Sequence, residues 1–84
     1  IVLEQNAPNP FAEQTVINYF IPEAVQQAEI VFYNLSGKMI QTVNITEKGN
    51  GKLTVYGNDL SSGTYTYSLI ADGKLIATKK MVKK

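Results

Sequence analysis

The feature that most limits how this chain can fold is a hydrophobic period of two, broken by turn formers about every ten residues. In a strand, successive side chains point to opposite faces, so this alternation marks ribbons with one face turned inward. The stretch "TVINYFI" sets Ile17, Tyr19 and Ile21 against Val16, Asn18 and Phe20. Pro22 follows and has no N–H to give to a ladder, which ends the run. "AEIVFYN" sets Ala28, Ile30 and Phe32 against Glu29, Val31 and Tyr33, and Asn34, Ser36 and Gly37 then turn the chain. "KMIQTVNI" and "KLTVY", the latter with Leu53 and Val55 inward, are two further strands, with "EKGNGK" (Glu47 to Lys52) expected as a loop between them. After the turn "GNDLSSG", "TYTYSLI" places Tyr65, Tyr67 and Leu69 on one face. Asp72-Gly73 then reads as a tight hairpin turn leading into "LIATKKMVKK".

Six strands are legible, with a seventh expected near Ile1–Glu4. "EAVQQAE" contains helix formers but is too short to hold a helix alone. Strands at this spacing, with no helix between them, predict an all-β fold: an immunoglobulin-like β-sandwich of about seven antiparallel strands. "LSSGTYTY" sharpens that expectation. Tyr65, at the start of a strand after a glycine turn, stands where immunoglobulin-like sandwiches often place a tyrosine whose hydroxyl bonds back to the corner backbone.

The chain has 84 residues, enough for one domain over 1–84 with a thin core, since a chain of this size buries only about two-thirds of its unfolded surface. It does not begin with methionine, and Ile1 is expected to continue from something larger, of which this chain is a fragment or a processed tail. An apolar share of 44% suits a folded chain. The net charge is +1 and all eight basic residues are lysines. Nucleic-acid binding, which scales with the number of phosphates neutralised, is therefore not expected.

Chemistry is scarce. Without His or Cys, the Ser-His and Cys-His pairs and the thiolate or imidazole metal sites cannot be built. The seven carboxylates fall mostly in turns or on solvent faces, with Asp59 and Asp72 suited to local turn bonds. No catalytic residue, cofactor or metal is expected. Two features remain. Lys79, Lys80, Lys83 and Lys84 crowd the last strand, either as charges that keep other chains off its edge or as a basic handle for a partner. At the other end, "NAPNPF" is stiffened by Pro8 and Pro10. It delivers Phe11 to one place, either to plug the open end of the sandwich or to present a surface that something else reads.

Taken together, "LEQNAPNPF", "TVINYFIPE", "IVFYNLSGKMI" and "DLSSGTYTYSLIADGKLIATKKMVKK" resemble the type A C-terminal sorting domain of the type IX secretion system, which exports proteins across the outer membrane of Bacteroidetes bacteria. The family's Q-N-x-P-N-P-F falls on Gln5, Asn6, Pro8, Asn9, Pro10 and Phe11, and its Leu-Pro on Ile21-Pro22. Its Y-N-x-x-G falls on Tyr33, Asn34 and Gly37, its L-x-x-G-x-Y on Leu60, Gly63 and Tyr65, and its K-K-M-V on Lys79, Lys80, Met81 and Val82. Ile21 replaces the usual Leu, and Val55 stands where many members have Trp; both remain apolar.

The resemblance implies a secretion address joined to an N-terminal cargo. It implies transit through the periplasm, recognition by outer-membrane machinery (a translocon and a shuttle protein), removal by a sortase-like peptidase, and a cargo left on the cell surface or released. Recognition is expected to use Lys79, Lys80, Met81, Val82, Lys83 and Lys84. The motif residues Asn6, Pro8, Asn9, Pro10, Phe11, Gly37, Leu60, Gly63 and Tyr65 are expected to be structural. An edge strand also leaves room for an edge-strand dimer. The alternatives are a passive immunoglobulin-like spacer and a carbohydrate-binding module, the latter using Tyr33 and Tyr56.

Overall fold

The computed structural model describes residues 1–84 and contains seven strands: β1 (Val2–Leu3), β2 (Gln14–Ile21), β3 (Ala28–Tyr33), β4 (Met39–Ile45), β5 (Gly49–Tyr56), β6 (Gly63–Ala71) and β7 (Lys74–Lys83). A single 3₁₀ turn, Gly57–Asp59, joins β5 to β6. Two antiparallel sheets form, one ordered β1-β2-β5 and the other β4-β3-β6-β7. The chain changes sheet after β2, after β4 and after β5. This is the immunoglobulin-like sandwich expected from the alternation.

Side-chain parity along each strand decides the core. Ile17 and Ile21 of β2, Ile30 and Phe32 of β3, and Tyr67 and Leu69 of β6 are all buried in one cluster between the sheets. The rings of Phe32 and Tyr67 lie 6.0 Å apart at 39°, a tilted aromatic pair within the favourable range. β2 ends at Ile21, directly before Pro22, and Glu23 to Gln27 form a turn and a connection with Val25 tucked into the core, before β3 begins at Ala28.

Two turns follow from backbone chemistry. Asp72 and Gly73 both have positive φ, 49° and 78°, giving the primed two-residue turn that matches strand twist. The role of Asp72 is wider than the local bonds expected of it. Its Oδ1 accepts the amides of Gln26 (3.0 Å) and Gln27 (2.9 Å), and its own N–H donates to the Gln27 carbonyl (2.8 Å). It therefore fastens the β6–β7 hairpin to the connection between the sheets. At the opposite end, the Tyr65 hydroxyl donates to the Ser61 carbonyl at 2.7 Å, which is the tyrosine corner.

The expected loop over Glu47–Lys52 is corrected: β5 begins at Gly49, and Gly51 lies within it, opposite Tyr19. A Cβ at Gly51 would sit 2.5 Å from the Tyr19 ring, so this glycine makes room for an aromatic lying across the neighbouring strand. Gly57 is more constrained. It is buried, donates its N–H to the Glu13 carbonyl at 2.8 Å, and a Cβ there would collide with the backbone oxygen of Ala12. Gly57→Ala is expected to lower the unfolding free energy by about 2 kcal/mol, because the clash is with backbone that cannot rotate away. Urea denaturation measures this, and a loss below about 0.5 kcal/mol, the size of an ordinary surface substitution, counts against the close approach.

Candidate functional site

With neither His nor Cys in the chain and no cluster of acidic groups able to share a metal, the sequence features that await a role are the entrance segment and the last strand. The fold brings them together. Residues 5–11 run as a strap beside the C-terminal half of β7, and every buried side-chain polar atom in the strap has a partner.

Pro8 and Pro10 have no N–H, so the strap cannot pair along its length as an ordinary strand. Side chains take over. Asn9 Oδ1 accepts the Val82 amide at 2.9 Å, standing in for a backbone carbonyl. Phe11 then supplies real backbone pairing: its N–H donates to the Val82 carbonyl (3.0 Å), and its carbonyl accepts the Lys84 amide (2.8 Å), a parallel bridge to Lys83. Gln5 Nε2 donates to the Lys80 carbonyl. The phenyl ring of Phe11 is 1% exposed. Phe11 therefore fills the end of the sandwich, and the strap that carries it also closes the sheet edge.

Its other anchor is a buried polar knot. The Asn6 amide donates to the Tyr67 hydroxyl (2.8 Å), which in turn donates to the Glu4 carbonyl (2.8 Å). Asn6 Nδ2 donates to Thr15 Oγ1 (3.0 Å) and to the Pro8 carbonyl (3.2 Å), and Thr15 Oγ1 donates to the same carbonyl (2.8 Å). Asn6 and Thr15 are buried, and no buried side-chain polar atom in the chain lacks a partner. Burial of Tyr67 holds its phenol pKa above the usual 10.0; the Asn6 amide pulls the other way, and the Glu4 charge adds slightly to the rise.

The last strand is not one continuous readable string. Met81 is fully buried, opposite Tyr65, so its inclusion among the recognition residues is corrected: parity points its side chain into the core. Lys80 and Lys84 are exposed, while Lys79, Val82 and Lys83 are half-buried. Lys79 lies opposite Tyr67, and the Lys83 ammonium donates to the Lys84 carbonyl at 2.8 Å. Of the other motif residues, Gly37 takes a positive φ of 84° in the β3–β4 turn and Gly63 opens β6 at φ 152°. Leu60 packs against the core. Tyr33 and Tyr56 fall on different sheets, β3 and β5, and do not share one aromatic face.

Reading the residues one by one did not find Thr15 or the polar role of Tyr67. The signal was present in parity: Thr15 shares the inward face with Ile17, and an inward hydroxyl calls for a buried partner.

A two-sheet immunoglobulin-like sandwich, closed by its own entrance segment stitched to the final strand, defines the class: an all-β module of two packed sheets. The family model of the secretion system C-terminal sorting domain matches residues 7–84, and the chain belongs to that family. No curated protein matches the chain. The domain is a sorting signal for type IX secretion, which directs an attached N-terminal cargo through the outer membrane to the cell surface or the exterior. The match begins at Ala7, so the Gln5 and Asn6 contacts lie just ahead of it.

Proposed function

We propose that the secretion machinery reads this domain as a folded object, through the lysine side chains of β7, and that the strap holds that strand in a fixed place. The observation that carries the reading is the pairing of strap and strand. Asn9 and Phe11 occupy the backbone groups of Val82 and Lys84, so what this end of β7 offers a partner is side chains rather than a free ladder. Lys79, Lys80, Lys83 and Lys84 give it a local positive charge, in a domain whose net charge is only +1. Such a patch steers an acidic receptor surface without needing a cleft.

In this reading the domain is the tail of a larger precursor and folds in the periplasm. A shuttle protein and the outer-membrane translocon recognise it, and a sortase-like peptidase removes it once the cargo has crossed. The domain is an address and not a catalyst.

The test joins the domain to a periplasmic reporter in a bacterium that has the type IX system and changes Lys79, Lys80, Lys83 and Lys84 to Gln. Export is expected to fall about tenfold or more, as when several steering charges are lost at once, while the melting temperature of the purified domain stays within a few degrees. Unchanged export by a still-folded variant would refute lysine recognition and leave the sorting role to another surface.

A further inference from the structure

The sandwich has four sheet edges, and three of them are guarded. β1 is only two residues long. β5 carries Lys52 and two glycines, and β7 carries Lys74, Lys79, Lys80 and Lys83 with the strap across its far half. Short length, lysines and covering segments are the usual means by which edges are kept from pairing with other chains. β4 has none of them. Its sequence MIQTVNI contains no charge, no proline and no glycine, and Met39 and Ile40 are 59% and 41% exposed. A bulge beside Tyr33 displaces Ile40, but β7 has a bulge too, so the absence of charge is what sets β4 apart.

The unpaired groups of β4 can be located by alternation. Val82 turns its N–H and C=O away from β6, toward the strap. In an antiparallel ladder, residues alternate between facing one neighbour and facing the other. Carried across the registers of β6, β3 and β4, this turns the backbone of Gln41, Val43 and Ile45 toward β3 and that of Thr42 and Asn44 toward open space. Beside this edge the two sheets part, and the cleft between them is lined by Phe32, Ile40, Val43, Leu53, Val55 and Leu60.

We propose that β4 is a self-association edge, on which a second copy of this chain docks its own β4 antiparallel. The occupant follows from the strand itself. With Thr42 on a two-fold axis, the Thr42 backbone groups of the two copies bond reciprocally, Gln41 faces Val43, and Ile40 comes beside Asn44. No charged side chain opposes another within the strand. The antiparallel arrangement also brings the Lys38 end of one copy beside the Glu47 end of the other, so the flanking charges attract. An isologous contact of this kind closes on itself and stops at a dimer. The two four-stranded sheets become one continuous sheet, and Ile40 of each copy is covered. This inference does not depend on lysine recognition, since β4 and β7 are opposite edges of the same sheet.

The chain contains no cysteine, so a single introduced thiol reports one position cleanly. Under mild oxidation, Thr42→Cys is expected to form a disulfide-linked dimer at least about tenfold faster than Thr78→Cys on β7, because the two-fold axis raises the effective thiol concentration at position 42. Sedimentation of the unmodified chain is expected to show a concentration-dependent dimer. Ile40→Lys, which adds a charge, and Thr42→Pro, which removes the outward N–H together with the exposed hydroxyl bond to Met39 Sδ, are each expected to abolish it. The Ile40→Lys variant serves alone should Thr42→Pro not fold. A chain that stays monomeric at its highest soluble concentration overturns the proposal, as does cross-linking at position 42 no faster than at 78, or a dimer that survives Ile40→Lys. So does a monomer that pairs β4 only with a strand of the secretion machinery.

Discussion

Phe11→Ala is expected to lower the unfolding free energy by about 4 kcal/mol, the range for removing a buried aromatic ring from a packed core. The ring is 1% exposed, and the backbone on either side of it is bonded to Val82 and Lys84, so neither side chain nor strap has room to collapse into the space left behind. Small domains sit near the low end of the usual stability of about 5–15 kcal/mol, which makes a loss of this size close to the whole margin. Urea unfolding by circular dichroism measures it. Hydrogen exchange adds a local readout: the Lys84 amide, which bonds to the Phe11 carbonyl, is expected to lose protection more than the amides of β3. A loss under about 1 kcal/mol, small for a fully buried aromatic ring, together with an unchanged Lys84 amide, would mean that the strap does not close the sandwich.

Tyr67→Phe keeps the aromatic ring and removes one oxygen, yet it is expected to cost about 3 kcal/mol. The Asn6 amide loses its acceptor and the Glu4 carbonyl its donor, and a buried polar group left without a partner costs about 1–3 kcal/mol. The pH dependence of this loss carries its own sign. Burial raises the phenol pKa in the folded state above 10.0, so folding favours the protonated hydroxyl. The hydroxyl's contribution is therefore fully present below about pH 10 and is lost as pH rises through the folded pKa. The stability gap between the natural chain and Tyr67→Phe is expected to be constant from neutral pH to about pH 9 and to narrow above pH 10. Denaturation curves collected across that range measure it. A gap that does not narrow places the hydroxyl outside the buried network.

These two residues also show how far the sequence could be read. Phe11 was legible as a plug, because a proline-stiffened approach has few places to deliver a large apolar ring. Tyr67 was legible only as a core position, from its parity with Tyr65 and Leu69. That its hydroxyl holds down the strap could not be read, because Asn6 lies 61 residues away and nothing in local spacing encodes such a contact. Asp72 failed in the same way: its place in the turn was visible, while its bonds to Gln26 and Gln27 depend on how the hairpin leans over the connection between sheets. Gly51 failed for a different reason. Glycine is disfavoured in strands on average, so "EKGNGK" read as a loop until the Tyr19 ring across the ladder supplied a need for an empty position. Met81 sits inside a lysine-rich motif yet follows strand parity, which turns its side chain into the core opposite Tyr65.

What the sequence alone determined was the inventory of strands, the inward residues of most of them, the hairpin at Asp72-Gly73, the corner tyrosine and the family. Each of these rests on local periodicity, turn chemistry or an ordered set of short motifs. What only the tertiary structure decided was that the first dozen residues and the last six form one unit, that one sheet edge is closed while another is open, and which lysines reach solvent. Those outcomes depend on how two sheets stack and where the chain ends meet, and hydrogen bonds between residues seventy positions apart leave no trace in a pattern that repeats every two.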